Sequence, residues 1–307
     1  MPAWDLLNIA TYRDLWIKNA GYFSINIATT RGCPYKCNWC AKPIYGNRYN
    51  TRSPKNVINE IKLLQQKFGF DHIWFCDDIF GLKPGWVHEF AACAKEEKLK
   101  LNFKIQCRAD LLVQENYVKD LAIAGCSDIW MGAESGSQKI LDAMDKGTTV
   151  EQIYEATHLL KKYKIKPSFF IQFGYPGETK HDIEKTIKMI NDLLPSDIGI
   201  SVSYPLPGTR FYETVASQLH DKANWSDSDD LAMMFKNTFQ PEFYRQLHRY
   251  VHAIYRKHLA MDFLYKMLAS PTKMNLMVLK KISSGAYYSV AVFLSKLKLN
   301  RLAKPTI

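Results

Sequence analysis

Residues Arg31–Gly46 read RGCPYKCNWCAKPIYG, with Cys33, Cys37 and Cys40 at CxxxCxxC spacing. Seven cysteines scattered at random over 307 residues would give this triple spacing about 0.004 times per chain, so the cluster needs a chemical reason. A structural zinc site takes four ligands, usually as two separated pairs, and no later Cys-x-x-Cys pair supplies the second. An electron-transfer cluster of four irons likewise takes four thiolates. Three thiolates can instead hold three irons of a cubane and leave the fourth open to an outside ligand, the feature that separates catalytic metal sites from closed ones. The competing reading is three ordinary buried thiols, although loop cysteines have no packing reason to take this spacing.

Around this stretch, strand-like and helical patterns alternate six times between Gly21 and about Ser217. Apolar runs at Tyr22–Ala28, His72–Asp77, Asn102–Cys107, Asp128–Ala133, Pro167–Phe173 and Ile198–Ser203 are each followed by a helical period. Ser53 and Pro54 start the first of these helices; Val57, Ile58, Ile61, Leu64 and Phe68 form its apolar face, and Gly69 ends it. Thr179 and Asp182 form a candidate capping box for the fifth, which stops at Pro195. Repeated strand-helix units imply parallel strands with right-handed crossovers. Six are too few to close an eight-stranded barrel, so the expected class is α/β, a partial (β/α)6 TIM-like barrel with its site at the carboxyl ends of the strands. The three cysteines fall in the loop after the first strand. The expected organisation is a linker-like segment at 1–20, a barrel core at 21–217 and a basic, mainly helical C-terminal extension at 218–307.

At 47% hydrophobic residues and 23% charged, the chain can bury a large core, which excludes fibrous and disordered classes. The odd cysteine count and the absence of a visible signal peptide fit a reducing cytoplasm. The net charge is +11, and from Pro241 to Ile307 twelve Lys and Arg face only Glu242 and Asp262, a net of +10. Charge alone does not choose between nucleic acid, anionic lipid and a solvated face. Residues 282–295 are uncharged and flanked by Lys280, Lys281, Lys296 and Lys298. That run is short for a membrane span and suits a helix lying on an anionic lipid surface or one packed on the barrel with its lysines outward.

With Trp39 directly before the last cysteine, CxxxCxxC resembles the signature of radical S-adenosylmethionine (SAM) enzymes. FCDDIFG (75–81), CRADL (107–111), GAESGSQKILDAMDKG (132–147), FGYPGET (173–179) and YPLPGT (204–209) extend the resemblance over roughly Trp4 to Phe263. In this order they are similar to the subgroup usually fused to an N-terminal cobalamin-binding domain, which includes radical methylases and relatives of anaerobic magnesium-protoporphyrin ester cyclase. The resemblance implies a 4Fe-4S cluster on Cys33, Cys37 and Cys40 whose open iron is chelated by SAM. One-electron reduction then cleaves the cofactor to a 5′-deoxyadenosyl radical. The Asp-x-His-x-x-Gly motif of the cobalamin domain does not occur in this sequence, and PAWDL at the start resembles the linker that follows that domain.

Asp77 and Asp78 end the second strand, and alternation sends one toward the barrel mouth, where a carboxylate can take the amino group of SAM; both could equally cap the following turn. Of the pair, Asp78 is the expected cofactor contact. Glu134 and Lys146 are, by the resemblance, candidates for the ribose and carboxylate of SAM, against readings as a helix-capping acid and a solvated helix end. Arg108 can pair with Asp110 or bind an anionic group. Gly174 lets the backbone approach a ligand, unless its loop is an ordinary strand-to-helix turn. Cys76, Cys93, Cys107 and Cys126 read as small buried hydrophobes, and His248 and His252 as a packed or exposed pair without a third metal ligand.

The expected protein is therefore a cytoplasmic enzyme, with a peripheral membrane position as the variant, that modifies an unactivated carbon by methyl transfer or related C-C/C-O chemistry. The alternatives are a partner-dependent or inactive part of a split cobalamin-dependent enzyme and an RNA-modifying radical SAM enzyme. The expected partners are a small-molecule or lipid-like substrate, an external electron donor of flavodoxin or ferredoxin type, a cobalamin-binding chain and a membrane surface. Nucleic acid is disfavoured, because no separate RNA-binding β-barrel follows the core.

Overall fold

The computed structural model describes residues 2–40, 46, 48–219, 235–269 and 276–303; residues 41–45 of the opening stretch lie outside the described residues. In chain order its elements are α1 (Ile9–Ala20), β1 (Ser24–Ile27), β2 (Thr30–Arg31), β3 (Asn50–Thr51), α2 (Pro54–Phe68), β4 (His72–Phe75), α3 (Trp86–Glu96), β5 (Phe103–Cys107), α4 (Ala109–Leu112), α5 (Glu115–Ala124) and β6 (Cys126–Glu134). There follow α6 (Gln138–Ala143), α7 (Val150–Lys162), β7 (Lys166–Phe173), α8 (Lys180–Leu193), β8 (Asp197–Val202), α9 (Arg210–Val215), α10 (Pro241–Ala269) and α11 (Leu276–Leu302).

The six apolar runs become β1, β4, β5, β6, β7 and β8, hydrogen-bonded in that order as one parallel sheet. This is the α/β class with the strand-helix order of a partial (β/α)6 TIM-like barrel and a helical C-terminal extension. The local signals act as the sequence implies. Ser53 accepts a bond from Asn56 N–H at 3.3 Å to cap α2, and Thr179 and Asp182 form the reciprocal capping box of α8. The N-terminal stretch, read as linker-like, contains α1, capped by Asn8; Ile9 is its one buried residue.

The chain divides into two compact units. The first holds Met1–Tyr35, Lys42–Ala133 and Glu151–Phe169. In it, strand register sorts side chains by face. Ile25, Ile73, Phe103, Ile105 and Ile129 are buried on one face, where Phe75, Phe80, Trp86, Phe90 and Phe103 form a connected aromatic cluster. Asn26, Trp74, Lys104 and Asp128 form a row on the other face, with Gln106 and Trp130 in the next row toward the carboxyl ends. None of these six is fully buried.

The second unit holds Lys36–Ala41, Glu134–Val150 and Phe170–Ile307. Ile140, Met144, Tyr175, Phe211, Val215 and Phe235 form a buried cluster with Trp39 against it. Helix α10 packs on α11 and on α8, and Tyr255 OH donates to Pro195 O at 2.8 Å.

Phe90 is fully buried and stacks on Trp86 with ring centroids 5.3 Å apart. Phe90→Ala leaves a cavity among four aromatic rings and is expected to cost about 3–5 kcal/mol, read as a lowered urea midpoint with an unchanged slope.

Candidate active site

The predicted ligands divide between the units, Cys33 in the first and Cys37 and Cys40 in the second, and each is described within its own unit. In the first, Asp77 follows β4 directly and is buried. Its carboxylate accepts bonds from Thr29 N–H at 2.7 Å, Thr30 N–H at 3.0 Å and the Thr29 hydroxyl. Burial pushes its pKa up, against the lowering effect of these bonds. The acid thereby fixes the chain where it leaves β1, three residues before Cys33. The two-residue pairing of β2 with β3 closes the loop at its base. Gly32 has φ +83°, and a Cβ there would lie 1.9 Å from Arg48 O, so only glycine fits before Cys33. Cys33 itself is buried.

Arg108, directly after β5, is buried and donates to both Asp110 oxygens at 3.0 to 3.3 Å. Its guanidinium lies 3.6 Å above the Tyr35 ring, two residues beyond Cys33. The structural pairing weighed for Arg108 thus exists, and the same side chain supports the cysteine loop. Asp78 is exposed. On the half-exposed face, Lys104 Nζ sits 3.8 Å from the Trp74 ring centroid, and burial lowers its pKa against the opposing pull of Asp128.

In the second unit the key residue is Asn38, between Cys37 and Trp39. Its Nδ2 donates to Ala143 O at 2.7 Å and Asp145 Oδ2 at 3.2 Å, and its Oδ1 accepts from Tyr175 OH at 2.9 Å. Its backbone N–H bonds Met144 O at 3.1 Å, and its carbonyl accepts from Phe211 N–H at 3.0 Å. One residue thus joins the CxxC turn to the end of α6, the loop after β7 and the start of α9. Trp39 packs on the buried cluster, and its Nε1 has no hydrogen-bond partner.

Glu134 ends β6 with φ +57°, a left-handed conformation uncommon for a residue with a side chain. Lys146 Nζ bonds Glu134 Oε1 at 2.7 Å, and both side chains are buried. The two sequence candidates are therefore brought together, and Lys146 also lies 5.7 Å from the Trp39 ring centroid. Gly174 has φ +78°; its N–H bonds Glu178 Oε2 at 2.6 Å and its carbonyl accepts from Asn237 Nδ2. Glu178 is fully buried, which pushes its pKa up to about 8. Asn38 and Lys104 were not singled out from sequence as site residues, and of the pair Asp77 and Asp78 the expected contact was Asp78. The only signals were the doubled acid in FCDDIFG, the polar residue inside CNWC and a lysine at an alternating strand position.

The donor set suits an iron-sulfur cluster: all seven cysteines are described and none is in a disulfide, and three soft thiols without a carboxylate or imidazole favour iron-sulfur over hard cations. Among the described residues no three His, Cys, Asp or Glu converge on a single ion. For a bound organic cofactor, Gln172 Oε1 and Ser203 Oγ, at the carboxyl ends of β7 and β8, are buried and lack hydrogen-bond partners. A ligand rich in hydroxyls and ring nitrogens would satisfy them.

Residues 27–190 match the model of the Radical SAM superfamily, and the chain belongs to that superfamily. It is 30% identical over 227 residues to an uncharacterized methyltransferase of Pyrococcus horikoshii, covering 73% of this chain and 48% of that protein. It is 27% identical over 226 residues to the anaerobic magnesium-protoporphyrin IX monomethyl ester cyclase of Cereibacter sphaeroides, covering 71% and 36%. Its fold is shared with the radical SAM methyltransferase TsrM of Kitasatospora setae, solved with cobalamin and a [4Fe-4S] cluster bound. The TM-score there is 0.60 at 22% identity, over 72% of this chain and 41% of that one. The chain spans less than half the length of each of these proteins. The cofactors of this superfamily are a 4Fe-4S cluster and SAM.

Asn38→Ala removes three of the five bonds that hold the CxxC turn. It is expected to lower iron content after anaerobic reconstitution while costing about 1–3 kcal/mol of stability. Asn38→Asp should be worse in both respects, since it sets a carboxylate beside Asp145. Glu178 gives a pH signature. Its pKa is near 4.5 unfolded and about 8 folded, so its contribution is complete below about 4.5 and is lost as pH rises through 8. In that window stability should fall by up to about 1.4 kcal/mol per pH unit. Chemical denaturation of Glu178→Gln should show a shallower pH dependence than wild type.

Proposed function

We propose that the radical chemistry of this protein acts on an unactivated carbon of a small-molecule or lipid-like substrate, by methyl transfer or related C-C/C-O chemistry. In this reading Cys33, Cys37 and Cys40 hold the cluster. When bound and reduced, the cluster supplies the electron that cleaves the carbon-sulfur bond of SAM. The observation that carries the reading is the CxxxCxxC triad in the loop after β1. The methyltransferase and cyclase names of its relatives favour carbon-centred chemistry.

The remaining roles follow from side-chain chemistry. Asp78, exposed after β4, takes the amino group of SAM, and Lys146 neutralises its carboxylate. Glu134 accepts from ribose hydroxyls. Arg108, paired with Asp110, orients Tyr35 and brings a positive charge to an anionic group of cofactor or substrate. Gly174 lets the backbone come close to the ligand. An external one-electron donor of flavodoxin or ferredoxin type supplies the reducing equivalent.

A second reading, in which cobalamin is brought by another chain, is favoured by the cobalamin bound in the similar structure. Lipid-surface contact by the basic C-terminal segment is a further part of the proposal.

Replacing Cys33, Cys37 or Cys40 by Ala should abolish the iron-sulfur absorbance after anaerobic reconstitution and with it the release of 5′-deoxyadenosine or S-adenosylhomocysteine from SAM. Cys93→Ala should change neither. Unchanged iron content in Cys37→Ala would refute the ligand assignment. If SAM turns over only when cobalamin and a cobalamin-binding protein are added, the second reading is the correct one.

A further inference from the structure

Helix α11 is apolar on two faces, and the structure accounts for one. Val278 and Leu299 are buried, a Cβ on Gly285 would meet Ala260 Cβ of α10 at 3.5 Å, Arg256 donates to Tyr288 OH at 2.8 Å, and Gln246 donates to Ser295 O at 3.3 Å. These positions form the side of α11 that packs on α10. The opposite side carries Tyr287, Val290, Phe293, Leu294 and Leu297, exposed by 67, 61, 62, 58 and 44%. With Ile282 they occupy a sector about 140° wide on an ideal helix. Adjacent large apolar side chains left in water mark a contact surface rather than scattered surface residues.

The charges identify what covers it. On the same helical projection Lys280 and Lys298 border one edge of this sector and Lys296 lies beyond the other, all three exposed. The segment from Pro241 carries a net +10, so an acidic surface is attracted over its length. An apolar strip with lysine along its border matches the boundary between acyl chains and anionic headgroups, where aromatic and aliphatic groups enter and lysines reach back to the phosphates. Among the described residues no helix is long and apolar enough to cross a membrane, which agrees with a helix lying in the plane of the surface. We infer that the face of α11 formed by Val290, Phe293, Leu294 and Leu297 is the site at which this protein rests on an anionic lipid bilayer. The inference makes the proposed lipid contact specific and rests on it.

The test is co-sedimentation of the full chain with phosphatidylcholine vesicles and with mixed phosphatidylcholine-phosphatidylglycerol vesicles. Wild type should bind the mixed vesicles and release at high salt only in part, because the apolar contribution is not screened. The variant V290S/F293S/L297S, altered only at exposed positions, should lose about tenfold or more in affinity with unchanged far-UV circular dichroism. The variant K280Q/K296Q/K298Q should lose the preference for anionic vesicles. No binding of wild type to either vesicle would overturn both the inference and the lipid contact on which it rests. Equal binding by wild type and the serine variant would overturn the inference and leave the contact standing. A wild-type dimer that the serine variant dissociates, without vesicle binding, would assign the face to a second copy of this chain and overturn it as well.

Discussion

The hydrogen bonds that fasten the two ends of the cysteine loop are the constraint on which the proposed chemistry depends. A loop that presents three thiols has no ladder of its own, so each end must be tied to a rigid element. At one end Asp77 gathers two backbone N–H groups and a hydroxyl as the chain leaves β1. At the other, Asn38 uses every polar atom it has, main chain and side chain, on α6, α9 and the loop after β7. The cost of burying Asp77, visible in its raised pKa, is tolerated because an unpaired buried N–H would cost as much or more. Ligand atoms set by hydrogen bonds before the cluster arrives need less ordering when it binds.

The same logic runs through the buried charges. Glu134 and Lys146 form an ion pair largely cut off from water, an arrangement that adds little stability against well-packed apolar residues. Glu134 also holds a strained left-handed backbone at a strand terminus. Both expensive features fall on one residue at the carboxyl end of β6, the end of the sheet where such folds bind ligands, which supports the role proposed for it. The half-exposed row of Trp74, Lys104 and Asp128 points the same way: a sheet face built only for packing would not place a lysine and an acid opposite each other in mid-strand.

How much of this is legible in the sequence depends on the range of the interaction. Strand runs and helix α2 are written in local periodicity and caps, so they appear within a residue or two of where the pattern puts them. Helix α1 is hidden because a helix that buries only Ile9 has no apolar stripe to read. Alternation says that one of Asp77 and Asp78 points inward but not which one, and the buried one serves the loop. Asn38 cannot be found from its neighbours, since its side-chain partners lie more than a hundred residues away. Glu134 and Lys146 are legible as ligand types, yet their mutual pairing depends on α6 bringing the chain back.

The two apolar faces of α11 explain why its sequence is ambiguous. A helix with one buried stripe shows a clear 3.6-residue period, whereas one with apolar residues on opposite sides spreads them around the wheel and the period fades. Sequence alone therefore cannot separate a helix packed on its neighbour from one lying on lipid, because α11 has the residues for both. The contact with α10 uses Gly285 and Tyr288 beside the buried Val278 and Leu299, while Val290, Phe293, Leu294 and Leu297 remain outside. Packing on α10 alone gives no reason for a second apolar face of this size, since residues left in water add nothing to that contact. Their placement on the outer face, bordered by lysine, is what directs the helix toward a second apolar medium.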